Sequence, residues 1–234
     1  VTKPGRYTGG EYNQVVKDWQ AVQTRVALAF PDIYDLGLPN LGLAIFYEAL
    51  NDRPDVLAER VYLPWLDMEA ALRSAGVPLY SLETHHAIAD FDILGITLPY
   101  ETLYTNTLNL LDLAGIPLLS KERTALHPLV IAGGHACYNP EPMADYIDAF
   151  AIGDGEEVFH DIVNVQQAWV KSGADQTALL RALAQIPGVY VPAMYAPRYR
   201  ADGALAGVEP IEASVPRQVL KRSKIGRASC RERV

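Results

Sequence analysis

Four short segments hold the residues whose types and spacing could do chemistry: Asp32 to Asn40, Thr97 to Glu101, Gly133 to Glu141 and Gly153 to Glu156. Gly133-Gly134 lets backbone approach a bulky ligand, since neither residue carries a Cβ and either can take positive φ, although a tight strand-to-loop turn uses the same pair. Gly153-Asp154-Gly155 has the same two readings, and it forms neither a Walker loop nor a G-x-G-x-x-G fingerprint. His135 follows the double glycine, where a ring nitrogen could donate to a ligand amide or phosphate. His85-His86 lies in a polar stretch and reads as solvated loop. Asp32, Asp35, Glu101, Glu141, Asp154 and Glu156 offer acids or bases, or else cap helices and orient loops. No G-x-S-x-G elbow, C-x-x-C pair or H-E-x-x-H motif is present, and Cys137 has no basic neighbour to activate it.

The elements around these segments explain why they would converge. Apolar runs at Val26–Phe30, Arg60–Leu63, Phe91–Thr97, Leu129–Ala132 and Ala149–Ile152 alternate with helical patterns, the signature of βαβ units. Asn40 caps a helix with Leu43, Phe46, Tyr47 and Leu50 at i, i+3, i+4, i+7, and Asp67 is placed to cap another running to about Ser74. Tyr104, Leu108 and Leu111 mark a third helix, and Val158, Ile162, Val165 and Trp169 a long fourth. Pro78 to Leu82 reads as a short edge strand, Asp175 to Gln185 as a last helix, and Val189-Tyr190-Val191 as a short strand. The fold class is therefore α/β: a Rossmann-like, doubly wound, mainly parallel five-stranded sheet with helices on both faces. In such a sheet the four segments all fall beyond the carboxyl ends of strands, where helix N-termini face a common cleft.

Composition bounds the rest. The 234 residues carry 20 Lys+Arg against 28 Asp+Glu, a net charge of −8, with 50% apolar and 21% charged residues. That balance supports an ordinary core and argues against holding nucleic acid by bulk electrostatics. No apolar run approaches the length of a membrane span. The sequence begins at Val1, so an N-terminal piece is expected to be missing, and Ile225 to Val234 (IGRASCRERV) reads as a translated sequencing adapter. Without that tail only Cys137 remains, which fits a reducing cytoplasm. The expected organisation is an arm over 1–24, the Rossmann-like domain over 25–172, a helix and linker over 173–224, and the artefact tail over 225–234.

With the loops located, the sequence resembles the cobalamin-binding domain at the N-terminus of many radical S-adenosylmethionine proteins. The matching text is Phe30 to Gly42, Leu94 to Tyr100, Ile131 to Ala136, Asn139 to Pro142 and Ile152 to Glu157, in that order. The resemblance implies a set of residues contacting the corrin, its tail or a facing barrel. They are Asp35, Leu36, Gly37, Pro39, Asn40, Leu41 and Gly42; Thr97, Leu98, Pro99 and Tyr100; Gly133, Gly134, His135 and Ala136 with Asn139 and Glu141; and Gly153, Asp154, Gly155 and Glu156. It implies a parent enzyme whose downstream barrel, the partner of this domain, holds a 4Fe–4S cluster on a C-x-x-x-C-x-x-C loop and binds S-adenosylmethionine. That loop is absent here, so this chain would not itself cleave S-adenosylmethionine. Cobalamin would serve the parent as methyl carrier or electron-transfer partner. The D-x-H-x-x-G loop that ligates cobalt in methionine-synthase-type domains has no match, and His135 is not its equivalent, so the corrin is expected to bind without a protein ligand to cobalt. Gly134→Leu is expected to block uptake in a folded domain. The missing histidine also suits a second reading, a cofactor-free docking domain packed on the barrel. A third reading is a flavodoxin-like enzyme using the sheet-edge carboxylates.

Overall fold

The computed structural model describes residues 1–223, and the expected artefact tail lies outside them. β1 (Thr24–Phe30) stops at Pro31, and a one-turn helix α1 (Tyr34–Gly37) leads to α2 (Leu41–Asn51). There follow β2 (Val56–Tyr62), α3 (Leu66–Ala75), β3 (Ile93–Thr97), α4 (Tyr104–Leu113), β4 (Leu129–Gly133), β5 (Ala149–Ala151) and α5 (Gly155–Ser172). The chain continues through α6 (Gln176–Leu183), β6 (Val189–Tyr190) and a hairpin of β7 (Tyr195–Tyr199) and β8 (Leu205–Pro210).

β1 to β6 form one sheet in the order β2-β1-β3-β4-β5-β6. Every neighbouring pair is parallel except β5 with β6. The five expected parallel strands are present, and Val189-Tyr190 adds a sixth, antiparallel strand at one edge. Parallel neighbours require crossovers, and right-handed ones through helices put α2 on one face with α3 and α4 on the other; α5, which follows β5, packs beside α2. On the second face Arg73 of α3 pairs with Asp112 of α4 at 2.8 Å and donates to Asn109 Oδ1 at 2.8 Å. Strand side chains from Val26 to Phe30 and from Ile93 to Ile96 are buried, as strands covered on both faces must be.

Helix ends follow the sequence signals. Asn40 Oδ1 accepts from Leu43 N–H at 2.9 Å to start α2, and Asp175 Oδ1 accepts from Ala178 N–H at 2.8 Å to start α6. Asp67 does not cap α3: it lies inside the first turn, and its Oδ2 accepts from Thr2 N–H at 2.5 Å and Thr2 Oγ1 at 2.7 Å. β2 begins at Val56, earlier than the apolar run suggests, because the polar pair Glu59 and Arg60 is buried in the middle of the strand.

Pro78 to Leu82 forms no strand, only an isolated bridge from Tyr80 to Ala87. The loop turns at His85 (φ 60) and covers the outer edge of β2: Leu82 N–H donates to the Arg60 carbonyl at 2.8 Å, and Glu83 Oε2 accepts from Arg60 N–H at 2.7 Å. Asn51 satisfies both backbone groups of Ala58 at 3.0 Å, so this edge offers little to another strand. His86 is not merely solvated. It stacks on Trp19 of the arm with ring centroids 3.7 Å apart, while Lys17 donates to the carbonyls of Asn51, Arg53 and Val56 and thereby ties the arm to the end of α2.

Candidate functional site

The strand order reverses at β1: β2 lies on one side, β3 on the other, and the crossovers leave in opposite directions. That reversal opens a crevice at the carboxyl ends of β1 and β3, the place where open α/β sheets bind ligands. A cavity of about 190 Å³ lies there, beneath α2 and α5. Sheet register builds its floor. Leu28, Gly95 and Ile131 align in one row, and Thr97, Gly133 and Ala151 in the next.

Phe46 of α2 and Phe159 of α5 meet edge to face over this floor, with centroids 5.8 Å apart at 79°. Glycines make room for the rings: a Cβ on Gly95 would lie 2.8 Å from Phe159 Cζ, and one on Gly155 would lie 2.6 Å from Phe46 Cζ. Gly133 is different. A Cβ there would meet nothing nearer than the Ala151 carbonyl oxygen at 3.7 Å, so the floor is open above it. Gly134 (φ 118) packs against backbone instead, and its Cβ would clash with the Leu98 carbonyl oxygen and lie 2.7 Å from the Leu98 carbonyl carbon.

Among the described residues Thr97 supplies the one polar side chain in the lining; the others are apolar or glycine. The site is suited to a flat apolar group, and among the described residues no carboxylate, histidine, cysteine or lysine lines it. Of the residues singled out in the sequence, Gly42, Thr97, Gly133, Gly134, Gly153 and Gly155 line the cavity.

The others stand around it. Leu36, Leu41 and Tyr100 are exposed on the same carboxyl edge. Asp35 pairs with Arg6 at 2.5 Å and Lys3 at 3.6 Å, and the Arg6 hydrogen bond lowers its carboxyl below the usual range. A Cβ on Gly37 would enter the Tyr62 ring, so that glycine serves packing. Pro39 precedes the Asn40 cap. Leu98 and Ala136 are buried and joined by Ala136 N–H donating to the Leu98 carbonyl at 3.0 Å, next to half-buried Pro99. His135 is exposed and stacks on Tyr138, with centroids 5.9 Å apart, beside exposed Asn139. Glu141 Oε1 accepts from Tyr190 Oη at 2.7 Å. Asp154 N–H donates to the Arg222 carbonyl at 2.9 Å, and Glu156 lies in the first turn of α5. Cys137 is buried under this loop, and burial pushes its thiol up to about 12, which leaves it inert at neutral pH.

Sequence reading missed Leu28, Gly95, Ile96, Ile131 and Ala151 of the strands and Phe46, Phe159 and Ile162 of the helices as lining residues. Register is the signal that collects the strand residues. Phe159 sits one position from Val158 on α5 and turns toward Gly95. Among the described residues no group of three or more His, Cys, Asp or Glu is arranged to hold a metal ion, and no helix is long and apolar enough to cross a membrane.

The family described as radical SAM proteins, N-terminal, matches residues 42–192, more than half of the chain. The chain belongs to the radical SAM N-terminal family. The match spans α2 to β6 and so contains the whole cavity except Leu28. The radical SAM N-terminal domain is also similar to a solved radical S-adenosylmethionine methyltransferase, TsrM from Kitasatospora setae, with tryptophan substrate and the SAM analogue aza-SAM bound. The identity is 18% with a TM-score of 0.43, over 77% of this chain and 29% of that one. No curated protein matches the radical SAM N-terminal domain.

Proposed function

We propose that this radical SAM N-terminal domain binds cobalamin, with the nucleotide tail in the cavity and the corrin across the carboxyl edge of the sheet. The observation that carries the reading is the apolar, glycine-floored cavity at the strand reversal, where an added Cβ on Gly133 would meet only Ala151, at ordinary contact distance. Its volume suits a bicyclic arene such as the benzimidazole of the tail and is too small for the macrocycle.

Gly133, Thr97 and Ala151 would lie beneath the tail, Phe46 and Phe159 beside it. Exposed Leu36, Leu41, Tyr100 and Tyr138 would face the corrin or a covering domain. Bound cobalamin supplies methyl transfer or electron transfer to a parent enzyme. Reductive cleavage of S-adenosylmethionine belongs to a barrel outside this chain, since two cysteines, Cys137 and Cys230, cannot fill a three-cysteine cluster loop. That barrel is the proposed partner, and the whole acts in the cytoplasm.

Titration with hydroxocobalamin and with dicyanocobinamide, which has the corrin ring and no nucleotide tail, tests the arrangement. Cobalamin is expected to bind at least about tenfold more tightly, as burial of a bicyclic arene in an apolar pocket predicts. Equal affinities would remove the tail from the cavity, and binding of neither would remove the cofactor.

The exposed apolar residues of the edge, with Trp65 and Leu66 among them, favour a second reading in which the barrel docks there without any cofactor. In that case the separately expressed barrel binds equally well with and without corrinoid.

A further inference from the structure

The last described segment crosses the rim of the cavity. Beyond β8 the chain buries Val215 and packs Val219 against the core, then runs beside the carboxyl end of β5. There Arg222 forms a parallel bridge with Gly153: its N–H donates to the Ile152 carbonyl at 2.9 Å, and its carbonyl accepts from Asp154 N–H at 2.9 Å. Two glycines from different segments clear this lane. Gly153 (φ 107) has no space for a Cβ beside the Arg222 backbone, and a Cβ on Gly188 (φ 85) would lie 2.9 Å from Arg222 Cβ.

Two backbone hydrogen bonds on an isolated bridge hold weakly by themselves. The Arg222 side chain adds a tie to α5, with Nη1 at 2.5 Å from Asp161 Oδ2 and Nη2 at 3.2 Å from Glu157 Oε2. The same loop that receives the strap, Gly153 to Gly155, is a wall of the cavity.

We propose that Arg222 is a positioning residue that fixes the Gly153–Gly155 wall of the cavity to α5 and to the strap that carries Val215 and Val219. Its bearing on a ligand rests on the cavity being the binding site, as argued above.

Amide hydrogen exchange on the whole chain tests the assignment in the wild type and in Arg222→Ala, Arg222→Glu and Arg222→Lys. Exchange at Asp154 to Glu156 is expected to quicken about fivefold in Arg222→Ala, the scale of two half-exposed ion pairs, and further in Arg222→Glu, which repels Glu157 and Asp161. Arg222→Lys restores most of the protection, and β1 amides are unchanged in all four. Unaltered exchange at Asp154 in Arg222→Glu overturns the proposal, as does an equal rise throughout β1. Hydroxocobalamin titration of the same proteins separates the two readings. A loosened wall without corrinoid binding in any of them leaves the positioning role standing and removes the cobalamin reading; bound corrinoid over an unmoved wall does the reverse.

Discussion

Gly133→Leu abolishes hydroxocobalamin uptake, a loss of at least about 100-fold in affinity, while the domain keeps its fold and its stability to within about 1 kcal/mol. The side chain leaves β4 toward the open floor between Thr97 and Ala151 and occupies the space assigned to the tail. Its Cβ sits at ordinary contact distance from its neighbours, so nothing in the backbone must move. Gly134→Leu is not the equivalent experiment that the sequence suggests. At φ 118 and against the Leu98 backbone, any Cβ forces the turn apart, and loss of binding would then report a damaged loop. Titration by visible spectroscopy with parallel urea unfolding distinguishes the two variants. A Gly133→Leu protein that still binds corrinoid at wild-type affinity would place the ligand elsewhere.

Glu83→Ala is expected to cost about 3–5 kcal/mol of stability, because it leaves the buried Arg60 guanidinium without its counter-ion. The pair is buried and doubly bonded, with Arg60 Nη2 left without a partner among the described residues: Arg60 Nε donates to Glu83 Oε1 at 2.6 Å, Arg60 N–H donates to Oε2 at 2.7 Å, and both side chains are buried. Arg60 also lies over the Tyr47 ring at 4.5 Å and donates to Asn13 Oδ1 at 3.2 Å, which joins the arm to the edge strand. Urea unfolding measures the loss, and faster proteolysis within residues 1–23 is expected to accompany it. A change below about 1 kcal/mol would mean that Arg60 finds water or another acceptor once Glu83 is gone.

The strand-helix alternation was legible because β1, β3, β4 and β5 are short apolar runs followed closely by Pro or Gly, as at Pro31, Pro99 and Gly133. β2 was legible only in its second half, since Glu59 and Arg60 are buried polar residues whose partners, Thr84 and Glu83, come from a loop more than twenty positions later. The same loop explains the missing edge strand at Pro78 to Leu82: its hydrogen bonds are made to the Leu113 carbonyl at the end of α4, to the outside of β2 and within its own turn. For the site, the glycines were visible as glycines, but their separate duties were not. Gly133 opens the floor, Gly134 passes the Leu98 backbone, Gly155 admits Phe46 and Gly153 admits Arg222, and only the packed structure assigns these. The carboxylates that looked available for chemistry were placed near the edge by position alone. Asp35 and Glu141 are engaged by Arg6 and Tyr190, and neither reaches the cavity.

Gel filtration of the chain after incubation with hydroxocobalamin tests whether the domain carries a corrinoid by its tail. The corrin absorbance is expected to co-elute with the protein with a base-off spectrum, since a benzimidazole held in the cavity would be off cobalt and the sequence has no D-x-H-x-x-G loop to supply a histidine. A folded protein that elutes free of corrinoid would contradict the cobalamin reading.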